Sequence, residues 1–147
     1  MPGPAMFVSP KEQPKFCMRP NRPGWADQVQ QGDILIAARN FGTGSGRPGA
    51  RVLRDLGIAV LIAESINGLF FRNCVNYRLP ALEVPGIDAA FEEGDTAEID
   101  FDSFSVRNVR TGDVSHAKPW PDLLANIYAA GGIFSLLERD GYIRGQI

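Results

Sequence analysis

The chain has 147 residues, of which 44% are hydrophobic and 22% charged, and its formal net charge is -2. This length and composition predict one folded domain with its own core and exclude a disordered chain. The slight acidity argues against nucleic acid or an anionic membrane surface as a partner. The opening MPGPAM is unlike a signal peptide, and no apolar run is long enough to span a membrane, so we expect a cytoplasmic protein.

The first 25 residues form a proline-rich segment. Six of the eleven prolines lie there: Pro2, Pro4, Pro10, Pro14, Pro20 and Pro23. Proline removes backbone donors, which excludes a long helix or a central strand. Large apolar residues such as Phe7, Phe16 and Trp25 are too many for a free tail. We therefore predict an extended arm over residues 1–25, with one helical turn near Pro14–Cys17, that lies on its own domain or on another chain.

The middle third alternates apolar runs with amphipathic segments. The predicted elements are strands over Asp33–Ala38, Ala59–Ala63 and Leu79–Val84, a helix over Gly49–Leu56 and a second helix that carries Ile66, Leu69, Phe70 and Cys74 on one face. Gly57 is placed to end the first helix, and Ser65 to cap the second. The order strand–helix–strand–helix–strand predicts parallel strands with right-handed crossovers.

The pattern changes after Pro85. Three short strands, separated by good turn sequences, are predicted over Thr96–Phe101, Phe104–Val109 and Val114–Ala117. They form an antiparallel meander. Pro119 and Pro121 open a final helix, Gly131-Gly132 breaks it, and Ile133–Leu137 adds one apolar turn. The prediction is a single α/β domain over residues 1–147.

The residues that most often bind metals do not form a pattern in this chain. Cys17 and Cys74 are isolated, which favours reduced thiols used for packing over the alternative of a disulfide. His116 is the only histidine, and its place in the meander predicts a surface or half-buried residue. No metal site is expected.

A glycine-rich loop between the first strand and the first helix has three interpretations. The spacing Gly44-x-Gly46-x-x-Gly49, with Glu64 after the next strand, matches a dinucleotide fingerprint, but residues 39–43 insert too much chain before the first glycine. In the second interpretation, the glycines only permit a tight connection between the strand and the helix. Thirdly, Ser45 between two glycines and Arg47 at a helix start form a corner suited to a carboxylate.

The same stretch resembles a known family. Asn40-Phe41-Gly42-Thr43-Gly44-Ser45-Gly46-Arg47 is similar to the signature Asn-Phe-Gly-Cys-Gly-Ser-Ser-Arg of the small-subunit, or swivel-domain, module of the aconitase and isopropylmalate isomerase superfamily. Ala63-Glu64-Ser65 and Leu69-Phe70-Phe71-Arg72-Asn73 follow at the family's spacing, and the similarity extends over roughly residues 14 to 140.

The resemblance implies an α/β fold of the aconitase-type swivelling β/β/α kind and a role as half of a hydro-lyase or isomerase like 3-isopropylmalate dehydratase. In this family a large partner subunit holds a [4Fe-4S] cluster, and the substrate is a branched hydroxy di- or tricarboxylic acid. Carried over, Ser45 is the catalytic base, and Arg47, Gly44 and Gly46 bind the substrate. Asn40, Arg72 and Asn73 support the loop, although Arg72 and Asn73 have the alternative role of capping their helix. The chain itself binds no cofactor.

Departures from the family pattern leave the function open. Gly46, Pro48 and Gly49 replace the family's Ser, Glu and His. A leading segment rich in Asp and Thr is missing before Pro2-Gly3, and Pro4-Ala5-Met6 stands in the loop that selects the substrate in the family. The alternative to a catalytic subunit is a non-catalytic binding or assembly partner. An uncovered apolar patch would favour self-association of the isolated chain.

Overall fold

The computed structural model describes residues 8–44 and 48–144. Within these ranges the elements are α1 Trp25–Gln28, β1 Ile34–Ala37, α2 Gly49–Leu56, β2 Val60–Ala63, α3 Gly68–Asn76, β3 Ala81–Glu83, α4 Ile87–Ala90, β4 Ala97–Asp100, β5 Ser105–Asn108, β6 Val114–His116, α5 Asp122–Ala129 and α6 Ile133–Arg139.

The first sheet is parallel and has the order β1-β2-β3. Each strand pair is joined by a helix, α2 after β1 and α3 after β2. All four residues of the central strand β2 are buried, as expected for an uncharged Val-Leu-Ile-Ala run that is covered on both faces. The predicted parallel strand–helix–strand arrangement is confirmed.

The second sheet is antiparallel and has the order β4-β5-β6. Its burial alternates along β4 and β5, so one face meets the core and the other meets solvent. The predicted meander is confirmed, and α5 and α6 follow it as the predicted C-terminal helical part. None of the helices in the described parts of the chain is long and apolar enough to cross a membrane.

The parallel sheet separates two apolar clusters. Leu61 and Ala63 pack with α2 and α3, whereas Ile62 packs towards the antiparallel sheet, where Val106 is fully buried. Successive side chains of a strand point to opposite faces, so each strand contributes to both clusters. The layers are therefore helices, parallel sheet and antiparallel sheet.

Residues 9–24 form turns and a 3-10 helix, Gln13–Phe16. The predicted helical turn is confirmed, but the prediction of an extended arm is wrong for these residues. Pro14 lies in the first turn of the 3-10 helix, and the Gln13 side chain accepts a hydrogen bond of 2.8 Å from Arg51 on α2. Buried Cys17 then joins the helix-side cluster. Residues 1–7 lie outside the described structure.

Both thiols are buried and free, as predicted. Loss of hydration on burial raises the pKa of Cys17 to about 11 and that of Cys74 to about 12. We expect neither thiol to react with a disulfide reagent at pH 8 in the native chain, and both to react once the chain is unfolded in urea. Rapid modification of either thiol in native buffer would show that its part of the core opens.

Candidate active site

The glycine-rich loop leaves the carboxyl end of β1, where β2 also ends. In an open parallel α/β sheet this edge is where ligands bind. The loop runs over residues 38–48, between Ala37 at the end of β1 and Gly49 at the start of α2. That length contradicts the tight strand-to-helix turn that a dinucleotide fingerprint requires.

Hydrogen bonds extend the ladder between β1 and β2 into the loop. Phe41 forms an isolated parallel bridge with Ile66. Its N–H donates to the Ser65 carbonyl over 3.0 Å, and its carbonyl accepts from the Asn67 N–H over 2.8 Å. The first half of the loop is therefore held against the connection from β2 to α3.

Asn40 turns the chain at this point. Its φ is +56°, a left-handed conformation that asparagine adopts more readily than most residues. The Asn40 N–H donates to the Ser65 hydroxyl over 2.9 Å, and the Asn40 carbonyl accepts from the Thr43 hydroxyl over 2.7 Å. These contacts give a physical basis for the loop-support role predicted for Asn40, which itself stays a prediction.

Gly42 packs directly on α3. A Cβ added there would lie 2.2 Å from Cγ of Phe70, and the φ of +82° is strained for any other residue. Phe70 is buried and packs edge-to-face on Phe41, with ring centroids 5.4 Å apart. The absent side chain lets the loop backbone approach the helix that carries Arg72 and Asn73.

The three central residues of the candidate site, Ser45, Gly46 and Arg47, lie outside the described residues. Exposed Gly44, with a φ of +78°, precedes them, and Pro48, the N-cap of α2, follows them. In the chain, the three residues therefore lie between the first half of the loop, which is hydrogen-bonded to the connection from β2 to α3, and the start of α2. The roles assigned to Ser45, Gly46, Arg47 and Gly44 stay predictions.

Arg72 and Asn73 lie on α3, beyond Phe70. The Arg72 side chain is exposed, and no partner for it is found within residues 8–44 and 48–144. Asn73 is half-buried, and its carbonyl accepts from the Tyr77 N–H at the end of the helix. Arg72 is therefore an exposed cation on α3, the helix whose Phe70 packs against Gly42 of the loop.

The prediction that Ser65 caps α3 is wrong. The helix begins at Gly68, and the Asn67 side chain caps it by accepting from the Leu69 N–H over 3.0 Å. Ser65 instead accepts from Asn40 across the sheet edge. The sequence Asn67-Gly68-Leu69 carries the usual signal of an asparagine cap, which Ser65, two residues earlier, obscured.

Two glutamates, which sequence reasoning did not assign to the loop, form contacts among the strand ends next to it. Glu64 pairs with Arg39 over 2.6 Å, so its carboxylate is engaged and not free to bind a ribose. Glu83, at the end of β3, accepts from the Ile66 N–H over 2.7 Å. The three strand ends are thus linked in one layer, which defines the floor below the glycine-rich loop.

The described residues do not fit a metal cluster. Among residues 8–44 and 48–144 no three His, Cys, Asp or Glu side chains are grouped as metal ligands. Cys17 and Cys74 are core residues with raised pKa values, unlike thiolate ligands.

Comparison with known proteins places this geometry in context. The family model of the aconitase C-terminal domain matches residues 11–86, which include all three strands of the parallel sheet and the glycine-rich loop.

The chain is also similar to several small subunits. It is 39% identical over 133 residues to 3-isopropylmalate dehydratase small subunit 1 of Methanopyrus kandleri, covering 90% of this chain and 78% of that protein. It is 34% identical to the isopropylmalate/citramalate isomerase small subunit of Methanocaldococcus jannaschii, covering 91% and 80%. It is 35% identical to the 2,3-dimethylmalate dehydratase small subunit of Eubacterium barkeri, covering 92% and 85%.

A solved structure has the same fold. The crystal structure of 3-isopropylmalate dehydratase from Methanocaldococcus jannaschii matches with a TM-score of 0.87 and 29% sequence identity. The match covers 95% of this chain and 84% of that chain.

Proposed function

The chain belongs to the aconitase C-terminal domain family, among the small subunits of 3-isopropylmalate dehydratase and its relatives, and from this membership we propose that it is the small subunit of a two-chain hydro-lyase. The single observation that carries the proposal is the anchored glycine-rich loop at the carboxyl edge of the parallel sheet, on a chain that aligns with such subunits over nine-tenths of its length.

The partner in this proposal is a large subunit that carries the [4Fe-4S] cluster. The family relation supports a cluster in the enzyme, and the residues described in this chain offer no place for one. The two chains are therefore complementary, and the isolated small subunit is inactive by itself.

Within the proposal, Ser45 removes a proton next to a substrate carboxylate. A neutral hydroxyl is a poor base, so the alkoxide must be stabilised by donors fixed before the reaction. Backbone N–H groups of Gly44 and Gly46, together with the Arg47 guanidinium, are the donors that we assign. Arg47 also binds the carboxylate in a fork geometry.

The rest of the loop supplies rigidity. Asn40, Phe41 and Gly42 are fixed by the Ser65 and Asn67 contacts and by packing on Phe70. A base acts well only when its position is set before the substrate arrives. We assign Arg72 and Asn73 to this support, because they lie on the helix against which Gly42 packs.

The substrate class is a branched hydroxy acid with two or three carboxylates. The relatives are named for isopropylmalate, citramalate and 2,3-dimethylmalate, which share a hydroxyl carbon beside a carboxylate and differ in the alkyl branch. We propose one of these compounds as the substrate of this chain.

Reconstitution tests the proposal. Anaerobic purification of the chain with a large subunit of the same family, followed by a dehydration assay on isopropylmalate, citramalate, dimethylmalate, citrate and homocitrate, should show turnover of one acid only when both chains are present. A stable complex with a loaded cluster and no turnover of any acid would instead support a non-catalytic assembly partner.

A further inference from the structure

Glu83, the last residue of β3, bonds through its side chain to the connection between β2 and α3. Its Oε1 atom accepts from the Ile66 N–H over 2.7 Å, a short bond of the kind that a charged acceptor forms. Glu83 is half-buried, and within residues 8–44 and 48–144 no lysine or arginine pairs with it. In that part of the chain the carboxylate therefore binds backbone rather than a cation.

The Ile66 N–H points to a side where the sheet has already ended. Phe41 bonds to the residues before and after Ile66, and successive residues of a strand direct their backbone groups to opposite sides. The Ile66 N–H therefore faces away from Phe41, towards β3. The ladder there ends at the pair Ala63 and Glu83, with a bond from the Val84 N–H to the Ala63 carbonyl. The Glu83 carboxylate takes the place that a carbonyl of a longer β3 would have.

This bond matters because Ile66 is buried. Only 8% of its surface is exposed, and it belongs to the apolar cluster on the helix side of the parallel sheet. A buried N–H that loses its acceptor destabilises the arrangement that buries it, because water cannot replace the lost bond there. Without the carboxylate, we expect the connection over residues 64–67 to shift or open.

The support for the carboxylate is rigid. The Glu83 backbone pairs with Ala63 in the parallel sheet, and its carbonyl accepts from the Lys118 N–H over 3.2 Å. Lys118 follows the antiparallel sheet, so both sheets hold the residue. A fixed strand end can thus transmit its position to the connection, and the connection to Phe41 and Asn40 of the loop.

We propose that Glu83 is a positioning residue for the glycine-rich loop. It acts through Ile66 on the connection that anchors Phe41, and so on Ser45, four residues further along the loop. The carboxylate moves no proton of the reaction and only fixes where the loop begins. The catalytic part of this inference rests on the proposed function of Ser45, whereas the link between Glu83 and the loop does not.

Hydrogen exchange of three Glu83 variants tests the link in the full chain. Glu83→Met keeps the length of the side chain but has no good acceptor, and Glu83→Asp keeps the charge but is one methylene too short. In both, the amides of Phe41 and Asn67 should exchange about 10-fold faster or more. Glu83→Gln keeps both the length and an acceptor oxygen, so its rates should stay within about threefold of those of the unmodified chain.

The amide of Ala59 is the internal reference, because it bonds to the Asp33 carbonyl at the far end of the ladder between β1 and β2. Its exchange should change less than about twofold in every variant. Equal acceleration at Ala59 and Phe41 would mean a general loss of stability and would overturn the proposal. Unchanged exchange at Phe41 in Glu83→Met, or in Glu83→Asp where Glu83→Met does not fold, would overturn it as well.

Kinetics of the reconstituted enzyme test the catalytic part. Glu83→Met should lower kcat by about 10–100-fold at a temperature where the chain is folded, because a displacement of the base by about 1 Å can cost about 100-fold in rate. Glu83→Gln should recover most of it. Normal kcat in Glu83→Met, with faster exchange at Phe41, would contradict the positioning role and leave the proposed function standing. An inactive unmodified complex would overturn the proposed function, while the exchange experiment would still decide whether Glu83 holds the loop.

Discussion

Replacing Ser45 by alanine should lower kcat of the reconstituted enzyme by about 10³-fold, because a positioned general base typically contributes about 10²–10⁴-fold. The affinity for the large subunit and the stability of the chain should stay the same, since removal of one hydroxyl between two glycines changes little else in the chain. The measurement is steady-state kinetics on the complex, with assembly followed by size-exclusion chromatography.

Thr43→Ala is the matched control. Thr43 lies two residues earlier in the same loop, and its hydroxyl donates to the Asn40 carbonyl over 2.7 Å. Loss of one exposed hydrogen bond costs about 1 kcal/mol, so this variant should keep most of the activity. Similar losses in both variants would show that the loop responds to any change in shape. An active Ser45→Ala enzyme would remove Ser45 from the reaction.

The parallel half of the fold could be predicted from local sequence. Apolar runs of four to six residues joined by amphipathic segments indicate buried strands and crossovers, and the structure has β1, β2 and β3 within those bounds. The antiparallel meander could be predicted equally well, because its turns contain residues that favour turns, as at Arg110-Thr111-Gly112-Asp113.

The contacts around the loop could not be predicted in the same way. Asn40 and Ser65, Arg39 and Glu64, and Ile66 and Glu83 are 17 to 25 residues apart in the chain. Each pair meets only because the strand ends lie side by side, and no periodicity in the sequence encodes that. Ser65 is an example of the resulting error. Serine is a common helix-capping residue, which led to the wrong prediction, but in the fold the Ser65 hydroxyl lies beside Asn40.

The arm was mispredicted for a related reason. Proline density excludes long regular elements but does not distinguish an extended chain from a series of turns. Contacts with α2 decide between them here, through the hydrogen bond from Arg51 to Gln13 and the burial of Cys17. Only residues distant in sequence supply that information.

Gly42→Ala should be the most damaging small substitution near the candidate site. The new methyl group would have to displace Phe70, whose ring is buried, and the backbone φ of +82° adds strain. Left-handed strain costs about 1–2 kcal/mol and overpacking about 1–3 kcal/mol, so we expect a loss of about 3 kcal/mol. Urea unfolding measures it directly, and Tm should fall by about 6–12 °C.

Gly44→Ala separates strain from packing. Gly44 has nearly the same φ, +78°, but an added Cβ there meets nothing within 4 Å among the described residues. This variant should lose only about 1–2 kcal/mol from the left-handed backbone. Equal losses in the free energy of unfolding of the two variants would mean that the contact with Phe70 does not contribute to the cost of Gly42→Ala.

Gly42→Ala also tests how the loop is held for catalysis. Displacing Phe70 shifts the helix that carries Arg72 and Asn73 relative to Phe41, so Gly42→Ala should lower kcat even at temperatures where the chain is fully folded. Misplacement of a catalytic group by about 1 Å can cost about 100-fold in rate. A Gly42→Ala enzyme that is less stable but has normal kcat would show that α3 stabilises the fold without positioning the loop.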